Sequence, residues 1–357
     1  MLYQTSNPHG GDIYGDPVTL DFSANTNPFG TPQGVLNAIQ EALPDLHRYP
    51  DPYCRKLISA ISEFEKIPKE YSLCGNGAAD LIYAYAEAVR PQRSLELAPT
   101  FSEYSLGLSG TGCRVARYYL KQAAGFVPED DFFDCLQEVN PQAVYLCNPN
   151  NPTGKLLEPA FLQAVLQYCK QRNIRVFLDE CFLDLTQTGV SMKPFLREYP
   201  NLFILKAFTK SYGMAGIRLG CGFSSDASLL EKMSRACQPW NVSSLAQAAG
   251  IAALKEQEFL KKTVETISTE RAWLKAQLER LGFWVCTSET NFLLFRGPEN
   301  LASVLRKQGI AIRSCDNYPG LCAGWFRIAV RLRSENEMLI NAILKATERT
   351  DIWQKTL

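Results

Sequence analysis

Four short segments hold the residue types that could do chemistry. In Ala207-Phe208-Thr209-Lys210-Ser211-Tyr212-Gly213-Met214-Ala215-Gly216-Ile217-Arg218 a lysine sits in a largely apolar, glycine-rich stretch. Desolvation lowers the pKa of such an amine and makes it a nucleophile suited to Schiff-base chemistry; a lysine that snorkels to the surface is the alternative. Arg218, eight residues on, is a planar cation that fits a phosphate. Val176-Phe177-Leu178-Asp179-Glu180 ends an apolar run in an acid. Asp179 either caps a helix or pairs with a cation, a metal or a protonated ring nitrogen. A metal fits poorly, because His9 and His47 are the only histidines and no carboxylates cluster near Asp179. Cys147-Asn148-Pro149-Asn150-Asn151-Pro152-Thr153-Gly154 follows another apolar run. It offers amide side chains at a strand end, although turn chemistry alone would also explain it. Cys74-Gly75-Asn76-Gly77-Ala78-Ala79-Asp80 reads as a small-residue turn opening a helix. Backbone N–H groups there can face an anion, or the turn can be purely structural. Neither P-loop nor dinucleotide-binding spacing is present.

The elements around these segments alternate. Apolar runs at 95–98, 144–147, 174–178, 202–205 and 219–223 are separated by helical patterns at 101–110, 158–172 and 227–237. Such short runs between helices predict buried parallel strands in an α/β doubly wound sheet. Ligands of these sheets bind beyond the carboxyl ends of the strands, where the four segments fall. The first 30 residues are rich in turn formers and read as an irregular arm. Thr31-Pro32 predicts a helix cap, and helices are expected near 53–66 and from Gly75 onward. Beyond residue 240 a long helical stretch, 243–281, precedes apolar runs at 283–286, 291–295, 310–313 and 325–330. A final helix is expected from Ser334, with Glu337 completing a capping box. This part reads as a smaller α+β domain of which the arm is a part.

Composition sets the outer limits. The 357 residues include 37 Lys+Arg and 37 Asp+Glu, with 46% hydrophobic content, an ordinary globular mix. Zero net charge without a basic block argues against nucleic-acid binding. No apolar run approaches the roughly 20 residues of a membrane span. The first ten residues lack the features of a signal peptide, and the 12 cysteines form no C-x-x-C pair. The expectation is a cytoplasmic protein with reduced thiols.

Taken in order, the four segments resemble pyridoxal-phosphate enzymes of the aspartate-aminotransferase fold, and the resemblance covers nearly the whole chain. It implies fold type I: a large domain with a mostly parallel seven-stranded sheet, a smaller α+β C-terminal domain and an N-terminal arm. The implied divisions are 1–30, 31–245 and 246–357. It also implies pyridoxal 5'-phosphate as cofactor. Lys210 would bond to it, Asp179 would pair with its pyridinium nitrogen, and Asn151 would hydrogen-bond its ring hydroxyl. Tyr104, in Pro99-Thr100-Phe101-Ser102-Glu103-Tyr104, would stack on the ring. Amides near Gly77, Ala78 and Ala79, with Thr209 and Arg218, would hold the cofactor phosphate. Tyr49 would reach that phosphate from a second subunit, which implies a homodimer. Lys206 is the rival lysine, but it lies on the expected strand without the T-K context.

Within this fold two families are similar: histidinol-phosphate aminotransferases and the threonine-phosphate decarboxylases of cobalamin biosynthesis. Three stretches resemble the decarboxylases. They are His9-Gly10-Gly11, Asp21-Phe22-Ser23-Ala24-Asn25-Thr26-Asn27-Pro28, and Arg313-Ser314-Cys315-Asp316-Asn317-Tyr318-Pro319-Gly320-Leu321. Phe182 stands where the aminotransferases typically have tyrosine. The resemblance therefore implies a phosphoamino acid as substrate, L-threonine O-3-phosphate or L-serine O-phosphate. Arg327 with Asn25 would bind the carboxylate and Arg313 with His9 the phosphate, with Arg331 a third candidate arginine.

Overall fold

The computed structural model describes residues 9–15 and 17–348. The first strand is the two-residue β1 (Leu20–Asp21). A seven-stranded sheet follows, built from β2 (Ser72–Gly75), β3 (Arg93–Ala98), β4 (Arg114–Tyr119), β5 (Ala143–Cys147), β6 (Arg175–Asp179), β7 (Leu202–Ala207) and β8 (Gly220–Phe223). Its order is β2-β8-β7-β6-β5-β3-β4. The strands from β3 to β7 pair in parallel, and β8 runs antiparallel to both β2 and β7. This is the mostly parallel sheet of the expected fold type. Every residue of β5 and β7 is buried, as a central strand covered on both faces requires. The cross-strand register sets Cys147 beside Asp179 and Asp179 beside Leu205, so these strands end at one edge.

The second layer is antiparallel. β9 (Trp284–Val285), β10 (Phe292–Arg296), β12 (Arg313–Ser314) and β13 (Trp325–Ala329) form a sheet of order β12-β13-β10-β9, while β11 (Ile310–Ala311) pairs in parallel with β1. The helices Gln257–Arg280 and Arg333–Glu348 contact each other and supply Leu274, Leu278, Leu339 and Ile343 to the core of this layer. Phe22 is fully buried in the same core, and its carbonyl accepts from Ala329 N at 2.8 Å. The segment after β1 is thereby stitched to β13.

Several local expectations shift. The stretch 243–281 is two helices, Ser244–Ala253 and Gln257–Arg280, because the chain tightens at Lys255 and Glu256, whose amides bond back three residues. The run 310–313 divides between β11 and β12, which belong to different sheets. Thr31 does not cap the helix Gln33–Ala42; its hydroxyl donates to the Gly213 carbonyl at 2.8 Å, beside the lysine turn. The last helix starts at Arg333, one residue before the expected cap, and Arg331 N donates to Asn336 Oδ1 there. No helix among the described residues is long and apolar enough to cross a membrane.

Behind β6, Phe177 packs against Tyr85, Tyr104, Tyr145 and Phe203, with ring centroids 4.9–5.8 Å away. Phe177→Ala should lower stability by about 3–5 kcal/mol, read as the midpoint shift in urea unfolding.

Candidate active site

The carboxyl-end edge of the sheet and the β12–β13 pair face each other across a cavity of about 220 Å³. β7 ends at Ala207 and passes into a single helical turn, Phe208–Ser211, which delivers Thr209 and Lys210 to that cavity. Asp179 reaches it from the end of β6 and Asn151 from the turn after β5. Ala78, Ala79 and Arg218 line another part, and His9, Asn25, Arg313 and Arg327 complete the wall.

Burial is the main electrostatic force here. It pulls the Lys210 amine down to about 8, with the Arg327 cation adding to the effect. Lys206, four residues earlier, has the opposite fate. Burial opposes its charge too, but Asp184 and Glu65 outweigh it and hold the amine well above its ordinary value. Its Nζ lies 2.9 Å from Asp184 Oδ2, contacts Glu65, and does not line the cavity. A tightly paired ammonium is no nucleophile, whereas Lys210 lines the cavity with its amine lowered.

Burial raises the Asp179 carboxyl, against hydrogen bonds that stabilise its charge. Tyr104 Oη donates to Oδ2 at 2.6 Å and Cys181 N donates to Oδ1 at 2.8 Å. Both donors are neutral, which leaves the buried carboxylate short of a counter-charge. Among the described residues no group of three or more His, Cys, Asp or Glu side chains could hold a metal. A protonated ring nitrogen fits this acceptor.

The start of the helix Gly77–Val89 is packed as an anion cradle. Gly77 has φ +81°, and a Cβ there would stand 2.6 Å from Arg218 Nη2. A Cβ on Gly220 would stand 2.7 Å from Ala78 N. Only glycines let the guanidinium and the helix amides converge this closely. Arg218 itself holds a left-handed backbone, φ 59°, which an arginine rarely adopts.

The opposite wall is cationic. Arg313 and Arg327 pair directly across the antiparallel β12–β13 ladder, so both side chains emerge on one face. Arg327 donates to the Asn151 amide oxygen and, at 3.0 Å, to the Ser23 carbonyl. Turned so that its oxygen faces the guanidinium, Asn25 accepts from Arg327 Nε at 3.1 Å. Arg313 Nη2 donates to Asn317 Oδ1 at 2.7 Å. Arg331 lies elsewhere: it binds the Asp21 carbonyl and Glu335 and does not line the cavity.

Besides Arg331, three expected residues do not line the cavity. Gly77 acts through its backbone, as above. Tyr49 is 79% exposed and stacks on Trp240 at 4.7 Å, outside this chain's cavity. Tyr104 is fully buried beneath Asp179, so its ring is not a surface on which a ligand can stack. Phe101, three residues earlier in the same motif, lines the cavity instead. Tyr318 and Phe182 also line it unforeseen as contacts, and each lies inside a motif already singled out.

The sheet topology is that of fold-type-I pyridoxal-phosphate enzymes, and the cavity at its edge gathers a lysine whose amine burial lowers, a buried acid and a glycine–arginine cradle. The sequence matches the model of aminotransferase class I and II over residues 17–343, and the chain belongs to that family, which depends on pyridoxal 5'-phosphate. It is 35% identical to threonine-phosphate decarboxylase of Salmonella typhimurium, across 94% of this chain and 95% of that one. It is 31% identical to histidinol-phosphate aminotransferase of Halalkalibacterium halodurans, across 91% and 88%. The crystal structure of histidinol-phosphate aminotransferase from Clostridium acetobutylicum superposes with a TM-score of 0.87 at 29% identity, covering 93% of this chain and 100% of that one.

Two outcomes follow from this geometry. Cofactor uptake by the apoprotein should accelerate as pH rises through about 8 and level off above it, because the neutral Lys210 amine is the reactive form. An ordinary lysine would keep gaining up to roughly pH 10. Gly77→Ala should weaken cofactor retention by about tenfold or more, measured by equilibrium dialysis, since the new Cβ displaces Arg218.

Proposed function

We propose that this enzyme decarboxylates L-threonine O-3-phosphate to (R)-1-amino-2-propanol O-2-phosphate in cobalamin biosynthesis, with L-serine O-phosphate as a second substrate. The observation that carries the reading is the pair Arg313 and Arg327, side by side on the cavity wall opposite Lys210. Two adjacent guanidinium groups suit a small substrate with an anion at each end. The 35% identity to a decarboxylase of this substrate supports it.

Bound in this cavity, pyridoxal phosphate supplies an aldehyde that captures the substrate amine and a ring that accepts the electron pair of the broken bond. The chain's residues do the rest. Thr209, Arg218 and the amides near Gly77, Ala78 and Ala79 hold the cofactor phosphate. Asp179 keeps the ring nitrogen protonated, and Tyr104 orients Asp179. The Asn151 oxygen is taken by Arg327 and Tyr318, so its amide N–H would be the group that donates to the ring hydroxyl. Phe101 takes the stacking role expected of Tyr104. Arg327 and Asn25 grip the substrate carboxylate, and Arg313 and His9 grip the phosphate. By gripping both anionic ends, these residues would fix the substrate's orientation about Cα, so that the carboxylate is the group released, as CO2. Lys210 would donate the proton that takes the place of the lost CO2 at Cα.

The arm 1–30, cofactor domain 31–245 and small domain 246–357 belong to the same reading. So do a cytoplasmic setting and a homodimer, in which the exposed Tyr49 reaches the partner's cofactor phosphate. The second reading is histidinol-phosphate aminotransferase, favoured by the relatives at 31% identity and by the superposition at TM-score 0.87.

The deciding experiment gives the holoenzyme L-threonine phosphate, L-serine phosphate, or histidinol phosphate with 2-oxoglutarate, and measures CO2 and glutamate together. CO2 from a phosphoamino acid without an oxo-acid supports the decarboxylase. Glutamate from histidinol phosphate, with no CO2 in any reaction, overturns it. Arg327→Gln should cut kcat/KM about 30-fold or more, the consequence of removing one member of a buried charge pair.

A further inference from the structure

We infer that Glu103, with Tyr83 behind it, is a positioning residue that fixes the His9 ring in the cavity wall and thereby sets how the substrate's phosphate end is held. This rests on the reading that His9 meets that phosphate.

His9 Nε2 lies 2.6 Å from Glu103 Oε1, and Tyr83 Oη donates to Glu103 Oε2 at 2.9 Å. The carboxylate is thus fixed through both oxygens, between the helices Gly77–Val89 and Glu103–Ser109. The His9 hydrogen bond is the largest cause that holds the Glu103 carboxyl below its usual range. It is therefore an anion at neutral pH, and His9 Nε2 is the donor. Burial, then the hydrogen bond to Glu103, pushes the Tyr83 hydroxyl up to about 12, so it remains a donor. The His9 ring also rests against Phe101, with centroids 5.7 Å apart. His9 and Phe101 line the cavity, whereas Glu103 does not; it acts only through the imidazole.

The rest of the arm explains why this contact matters. A Cβ on Gly10 would collide with the Ser23 carbonyl, and Gly11 N donates to Ser23 Oγ at 2.8 Å. The arm is pinned at Ser23 on one side and at Glu103 on the other. Between these pins, His9 and Gly10 border both the inner cavity and an outer pocket of about 330 Å³ that contains Asp12 and Arg306. Arg313 also borders both. Releasing Glu103 frees one pin, lets the two spaces join, and withdraws His9 from Arg313's side. An acid in the first turn of a helix can also serve only that helix, so the test must separate the two roles.

The chain has two histidines, and His47 is exposed, so the imidazole proton resonances of histidine-labelled holoenzyme report on His9 with an internal reference. In Glu103→Gln the His9 resonance should lose the ring-current displacement from Phe101. The KM for L-threonine phosphate should rise about tenfold with kcat within about twofold, as loss of one charge-assisted contact allows. Tyr83→Phe should show a smaller rise. His9→Gln should match Glu103→Gln, and the double variant should be no worse than either. Inorganic phosphate, titrated against the same resonance, should bind about tenfold more weakly in Glu103→Gln. An unmoved His9 resonance in Glu103→Gln overturns the proposal. So does unchanged phosphate affinity, or a loss of thermal stability and kcat at constant KM. If the wild-type enzyme turns over no phosphoamino acid, the substrate reading fails by itself. The resonance and phosphate titration then still decide the role of Glu103.

Discussion

The Arg327 guanidinium is the joint on which the cavity depends. It stands on β13, in the small antiparallel sheet, yet its partners belong to other parts of the chain. Ser23 and Asn25 come from the segment beside β1, and Asn151 from the turn after β5 in the large sheet. A planar fork with several fixed N–H directions can bridge three such groups at once, which a lysine could not. Because Arg327 is buried, every one of its donors must find an acceptor or the fold loses stability. The two sheets are therefore registered against each other at the place where chemistry would occur. Asn291 reinforces the joint by donating to the Asn25 and Thr26 carbonyls.

Two lysines four residues apart show how surroundings divide structural from reactive groups. Lys206 lies within β7 and is buried; Lys210 lies in the turn that follows and is half-buried. Lys206 meets Glu65 and Asp184, and Ser211 donates to Asp184 as well, so the ion pair anchors the far side of the Lys210 turn. Lys210 meets the Phe182 ring at 5.7 Å and the Arg327 field, and among the described residues no carboxylate forms an ion pair with it. The first arrangement stabilises an ammonium, and the second favours an amine. The anchored ion pair is what allows the second lysine to be held in so unfavourable a place.

Much of this was legible in the residues alone. The parallel sheet followed from short apolar runs between helices, and the strand-end positions of Asp179, Asn151 and Lys210 followed from where those runs stop. Strand β4 was not legible, because Arg114-Val115-Ala116-Arg117-Tyr118-Tyr119 lies at the sheet edge, half exposed, and carries no apolar run. Four-residue β2 was hidden because its last residue, Gly75, reads as part of the turn that opens the next helix. The choice between Phe101 and Tyr104 was also out of reach. It turns on the angular phase at which one short helix begins, and the two rings differ there by three residues. Arg331 and Arg327 look alike in sequence; only the sheet register, which sets Arg313 opposite Arg327, separates them.

The cations that suit an anionic substrate are also the ones that act on Lys210. Arg327 is the largest charge lowering its amine, and Arg218 adds to it. On the proposed reading both arginines become neutralised in use, one by the substrate carboxylate and one by the cofactor phosphate. Each neutralisation removes a push against the ammonium form. Lys210 is thus most nucleophilic before the anions dock and holds a proton best once they have docked. The charge state of Lys210 is therefore coupled to ligand binding through the same guanidinium groups that suit the ligands, without any further titrating residue.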